Sequence, residues 1–243
     1  MSKRSRLPLS FGVIAFVAPL ALVLTTLGFS CGGSTTRGEG TDGSLAADQA
    51  SSRPRLDAPL RLGGPCDAVV DTPPLLPANH VGIGTEVDYD SNPPSSGPHY
   101  PIWAAYQSYV VPVDRRYYVH DLEHGAIVLV YNCAVGDAGA GVTDDAAVYD
   151  DAGGPGPCPE VAAQLQAIID AFPNDPKCDP SAFQPRVRFV LTPDPLLDVP
   201  VAAAAWGWTY KASCVDTATL SQFAKDHYDQ GTEEICANGQ SEF

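Results

Sequence analysis

The clearest hydrophobic pattern is Ala126-Ile127-Val128-Leu129-Val130-Tyr131, apolar at every position and rich in β-branched residues. Such a run has no polar side to give to water, so it predicts a strand covered on both faces at the centre of a sheet. Arg186 to Thr192 alternates instead, with Val187, Phe189 and Leu191 sharing one face, and predicts a second strand. Val201 to Lys211 reads as a third. Two stretches have helical spacing. Pro159 to Phe172 places Val161, Leu165, Ile168, Ile169 and Phe172 on one side, opened by a proline and stopped by Pro173. The other starts at an Asp216 cap, points Leu220, Phe223 and Ala224 inward, and is expected to stop at Gly231. This order predicts a compact single α+β domain, with a mainly antiparallel or mixed sheet and two flanking helices.

The N-terminus follows another pattern. Lys3, Arg4 and Arg6 precede an uncharged apolar run from Leu7 to about Leu27, the basic and hydrophobic regions of an export signal. Leu27-Gly28-Phe29-Ser30-Cys31 is similar to a bacterial lipoprotein signal, which predicts cleavage after residue 30 and lipidation of Cys31. A retained helix and an ordinary cleaved signal are the alternatives, and all three place the rest outside the cytoplasm. Residues 31–61 are rich in Gly, Ser, Thr, Ala and Asp without hydrophobic period, and read as a flexible tether. The globular domain is expected over 62–243, long enough for a proper core. Within it, 134–157 is dominated by Gly, Ala and Asp and reads as a solvated acidic insertion; its spacing is not that of an EF-hand calcium loop.

Composition narrows the partners. Without residues 1–30 the chain has 11 Lys and Arg against 29 Asp and Glu, formally −18. A surface of that sign repels phosphate backbones, so nucleic acid is excluded as a partner. The membrane enters only through the N-terminal lipid or anchor, and no protein partner is indicated. Reserving Cys31 for lipid leaves an even set of six cysteines, Cys66, Cys133, Cys158, Cys178, Cys214 and Cys236. In an exported chain these predict disulfides, with fifteen possible pairings. None has CxxC spacing, which argues against a redox or zinc-ribbon role.

Candidate chemistry lies in two segments. Asn92-Pro93-Pro94-Ser95-Ser96-Gly97-Pro98-His99-Tyr100-Pro101 predicts a stiff loop that holds His99 with little entropy left to lose. A structural turn whose histidine bonds a carbonyl is the bland reading of the same residues. Val119-His120-Asp121-Leu122-Glu123-His124-Gly125 carries H-x-x-E-H, in which two histidines one helical turn apart bind zinc and the glutamate is the base. Tyr117, Tyr118 and Val119 before it and Ile127 onward after it favour extended chain, which would put His120 and His124 on one face and Asp121 and Glu123 on the other. The expected metal set is then His99, His120 and His124, with His80 as a further candidate and Asp121 or Glu123 as an outer partner or fourth ligand. With Met1 the only methionine and the cysteines paired, imidazole chemistry favours Zn or Cu(II). His227 lies outside these motifs and reads as a boundary residue of the last helix.

The phrases HVGIGTEVDY, NPPSSGPHY and VHDLEHGAIVLVY, followed by LTPDP and AAAAWG, are similar to a bacterial domain-of-unknown-function family, DUF3105, over about His80 to Glu234. The resemblance implies a secreted or membrane-anchored domain and maps His80, His99, His120, Glu123 and His124 onto the family's motif positions. It implies no reaction. The family's GPE-like stretch reads Gly231-Thr232-Glu233-Glu234 here, a departure.

Three functional readings stand at this point. One is a tethered module that binds a transition metal. A second is an interaction module without enzymatic activity, whose histidines bond within a polar core and whose Tyr89, Tyr100, Tyr106, Tyr109, Tyr117 and Tyr118 form a recognition surface. The third is a metal-assisted hydrolase using His120, His124 and Glu123, with Glu123 as base. No GxSxG occurs, so a serine nucleophile has no support.

Overall fold

The computed structural model describes residues 55–135, 158–182 and 184–242. The expected export signal, Cys31, the tether up to residue 54 and most of the acidic insertion lie outside them. Among the described residues the strands are β1 (Leu60–Gly63), β2 (Ala68–Asp71), β3 (Ile127–Tyr131), β4 (Phe189–Pro193), β5 (Val201–Ala205) and β6 (Trp208–Ala212). The helices are α1 (Arg115–Glu123), α2 (Pro159–Ala171) and α3 (Thr217–His227). The strands form one open sheet in the order β1-β2-β6-β5-β3-β4, parallel between β3 and β4 and antiparallel elsewhere. No described helix is long and apolar enough to cross a membrane.

Both faces of this sheet are covered, which is why β3 is apolar throughout. Ile127, Leu129 and Tyr131 pack with Leu165, Ile168 and Ile169 of α2 and Leu220, Phe223 and Ala224 of α3. Val128 and Val130 point the other way, onto Tyr118, Val119 and Leu122 of α1. β4 divides likewise, with Phe189 and Leu191 toward α2 and α3 and Val190 toward α1. Its outer edge is closed by the segment around Ser108, where Leu191 N–H donates to Gln107 O and Tyr109 N–H to Leu191 O.

Three expectations are corrected. Val201 to Lys211 is a hairpin and not one strand: Gly207 takes φ +75° and folds β6 back on β5, pairing Ala205 with Trp208. The last helix keeps its Asp216 cap, which accepts from Ala218 N–H and Thr219 N–H, but ends at His227, before Gly231. The chain turns extended at Tyr228 and left-handed at Asp229. The third correction decides the site: residues 117–124, expected to be extended, belong to a helix over Arg115–Glu123 that His124 caps. Asp114 caps the helix by accepting from Arg116 N–H, and Tyr118, Val119 and Leu122 form an apolar stripe that the sheet buries completely. Burial of that stripe outweighs the strand preference of its β-branched and aromatic residues.

All six cysteines among the described residues pair, as Cys66–Cys214, Cys133–Cys158 and Cys178–Cys236. Cys133–Cys158 closes the base of the acidic insertion. Three disulfides belong to a protein that matures in an oxidising compartment outside the cytoplasm. Ahead of β1, Leu56 N–H donates to Thr72 Oγ1.

Candidate metal centre

The helical form of 115–123 places His120 and Glu123, three residues apart, on one side of α1 at its C-terminal end. Gly125 stops the helix with φ +82°, and its N–H donates to Leu122 O. The fully buried Arg188 then holds that end: its guanidinium donates to His124 O, Asp175 and Asp229. A cation at a helix C-terminus also complements the helix dipole.

His99 comes from the proline-rich loop, which is anchored at several points. Leu76 N–H donates to Ser96 Oγ, and Tyr89 Oη–H to Pro98 O. Gly97, at φ +125°, leaves only 3.2 Å for a Cβ against Leu76 and Tyr89. Backbone bonds from His99 N–H to Asn79 O and from Val81 N–H to His99 O then lay the His80 segment alongside. Tyr100 N–H donates to Arg116 O and ties the loop to α1.

The result is a cluster of His80, His99, His120 and Glu123, whose potential ligand atoms all lie within 4.8 Å of one another. The three ring centroids are 4.7 to 5.1 Å apart. Donors around a zinc ion at about 2.1 Å stand roughly 3.4 Å apart, so the cluster needs only a small contraction to close on an ion. His99, His120 and Glu123 are buried, while His80 is exposed.

The protons can be placed from the partners. His99 Nδ1 lies 2.8 Å from Gly97 O and His120 Nδ1 lies 2.7 Å from Tyr100 O. A carbonyl only accepts, so both Nδ1 atoms carry hydrogen, and in the neutral rings both Nε2 atoms present lone pairs. Burial pushes the His120 imidazole down to about 4, against the hydrogen bond to Tyr100, which keeps the ring neutral at pH 7. Thr232 Oγ1 donates to Glu123 Oε1 at 3.1 Å. Burial alone would raise the Glu123 carboxyl, but His99, Thr232 and His120 outweigh it and hold it below the usual carboxylate range. Its Oε2 lies 2.9 Å from His99 Nε2, a hydrogen-bond distance, yet Nε2 has no aligned hydrogen-bond partner. Distance and direction therefore disagree. Nε2 and Oε2 stand close without facing one another, as two atoms that converge on a third point do.

Not every expected residue joins. His124 is buried with its ring 4.5 Å from His120 and 4.7 Å from Trp103, and its Nε2 approaches Glu233 Oε2 at 3.4 Å. Burial and the neighbouring His120 push it down to about 3. Asp121 faces away from the imidazoles and accepts from Ala104 N–H, and burial raises its carboxyl well above the ordinary range. Glu123, expected on the opposite face from the histidines, stands among them. His227 stacks on Trp208 at 4.2 Å beside Phe223, on α3. Tyr100, Tyr109 and Tyr118 are core residues and do not form a recognition surface. Thr232 and Arg188 escaped the sequence reading. Their only signals were the departure from GPE and an arginine in the middle of a strand pattern.

A family model described as "Protein of unknown function (DUF3105)" matches residues 80–144 and 155–240. The chain belongs to the DUF3105 family. The matched part of this DUF3105 chain starts at His80 itself and includes all four converging residues and Thr232. The break between its two parts falls in the acidic insertion. No curated protein and no solved structure matches the chain.

Proposed function

We propose that this DUF3105 protein is an extracytoplasmic metal-binding module. It holds one divalent transition metal, Zn or Cu(II), through His80, His99, His120 and Glu123, and it is tied to the membrane by lipid on Cys31. The observation that carries the metal reading is the approach of His99 Nε2 to Glu123 Oε2 at 2.9 Å. With the proton on Nδ1, both atoms offer lone pairs to one buried point, an arrangement that a shared cation stabilises. Imidazole and carboxylate donors suit Zn and Cu(II), and disulfide pairing removes the thiolates that would favour Cu(I).

The same contact has a second reading, a buried imidazolium–carboxylate pair in a module without metal. The hydrolase reading fits less well, because a base must stand off the ligands, whereas Glu123 Oε1 accepts from Thr232 and Oε2 stands among the converging ligand atoms. Calorimetric titration of the metal-stripped, exported protein with Zn(II) and with Cu(II) separates these. The proposal expects one ion per chain, and His120→Ala or Glu123→Gln to weaken binding by at least about 10-fold, since losing even an outer partner costs that much. No binding, or equal binding by the variants, would favour the ion-pair module.

A further inference from the structure

The four donors are not equivalent. His99 and His120 are locked by Nδ1–H bonds to Gly97 O and Tyr100 O, and Glu123 by Thr232, and all three are buried. His80 is the exposed member, and it reaches the cluster from the solvent side through rings 5.1 Å from His99 and 4.9 Å from His120. A structural site fills all four positions with protein ligands, whereas a reactive one leaves a position open to exchange; of these four donors, His80 is the one an incoming ligand can reach.

The geometry points to His80 as the exchangeable ligand, through which the metal is handed to or taken from an acceptor that presents imidazole. This rests on the metal reading above. The step is ligand substitution: the metal–nitrogen bond to His80 breaks, its lone pair returns to solvent, and an incoming neutral imidazole forms the new bond. Metal charge and oxidation state do not change. The locked triad of His99, His120 and Glu123 holds the ion through this first substitution, and transfer is completed when further imidazoles of the acceptor replace those three bonds in turn, each lone pair returning to solvent. The partner class is accordingly a protein or peptide with accessible histidine.

The test uses the exported full chain loaded with Cu(II), read by electron paramagnetic resonance. His80→Ala, a change at an exposed position, is expected to retain one ion per chain with an altered spectrum, and free imidazole to restore the wild-type spectrum. His80→Gln should behave in the same way. Transfer of Cu(II) from the wild type to a hexahistidine peptide should accelerate in proportion to peptide concentration. An unchanged spectrum in His80→Ala, loss of the ion that imidazole cannot restore, or a transfer rate independent of peptide would overturn the assignment. Failure of the wild type to take up Cu(II) or Zn(II) at all would instead strike the metal reading beneath it.

Discussion

Two carbonyl oxygens, Gly97 O and Tyr100 O, decide what His99 and His120 can do, because each accepts the hydrogen bond from Nδ1–H and leaves the Nε2 lone pair for the cluster. Thr232 performs the corresponding service for Glu123. Thr232→Val removes that donor while keeping the shape, and should lower metal affinity by about 10–100-fold while costing less than about 1.5 kcal/mol of stability. Competition with a chromophoric chelator, alongside urea unfolding, checks both halves. Gly231 matters through its size, since a Cβ there would run into Glu123 O and Gly125 N, both backbone. Gly231→Ala should therefore destabilise by about 1–3 kcal/mol, measured by urea unfolding. At this scale the sequence was partly legible. His80, His99, His120, Glu123 and His124 stand in long motifs, but which of them converge depends on the helix beneath them. The expected alternation put Glu123 opposite the histidines, whereas the helix brings it beside them; His124, one turn beyond His120, stands outside the converging set against Trp103 and Glu233.

Helix α1 was illegible for a physical reason. Its determinants are the stripe of Tyr118, Val119 and Leu122 against the sheet, the Asp114 cap, and Arg188 at the far end, and most of these contacts come from distant parts of the chain. By contrast, α2 and β3 carry their patterns within themselves and were read to within a residue. Arg188 is the residue that ties α1 to the turn after α3. Its Nε donates to Asp175 Oδ2 at 2.8 Å and its Nη2 to Asp229 Oδ1 at 2.5 Å, and Tyr228 Oη–H also donates to Asp175. Arg188→Leu leaves the buried Asp175 without its cation and should cost about 3–5 kcal/mol by urea unfolding. The network also sets a pH dependence. Burial raises both carboxyls, but Tyr228, the Lys177 N–H and Arg188 outweigh it at Asp175, and Lys177 and Arg188 outweigh it at Asp229; both are held below the ordinary carboxylate range. Their folded values lie below the unfolded value of about 3.9. The stabilisation is therefore complete above that pH and lost as pH falls through the folded values. Urea midpoints between pH 5 and pH 2 should drop more steeply for the wild type than for Arg188→Leu; parallel curves would contradict this account.

Across the whole molecule, one sheet separates two jobs. On one face α2 and α3 build the larger apolar cluster, and on the other α1 and the loop from residue 73 to 113 build the centre. The α+β class and the six paired cysteines could be read from the sequence, because export and even cysteine count imply an oxidised, stapled domain. The pairing could not, since it depends on which termini the sheet brings together. Cys66–Cys214 joins the turn after β1 to the turn before α3 across 148 residues. Replacing both with serine should cost about 2–5 kcal/mol of unfolding free energy. The central claim, that His99, His120 and Glu123 with His80 hold a metal ion, is tested most directly by elemental analysis of the exported, oxidised protein purified without a histidine tag. The account predicts one Zn or Cu per chain, lost in a His99→Ala, His120→Ala double variant that stays folded by circular dichroism. Equal and negligible metal in both proteins would contradict it.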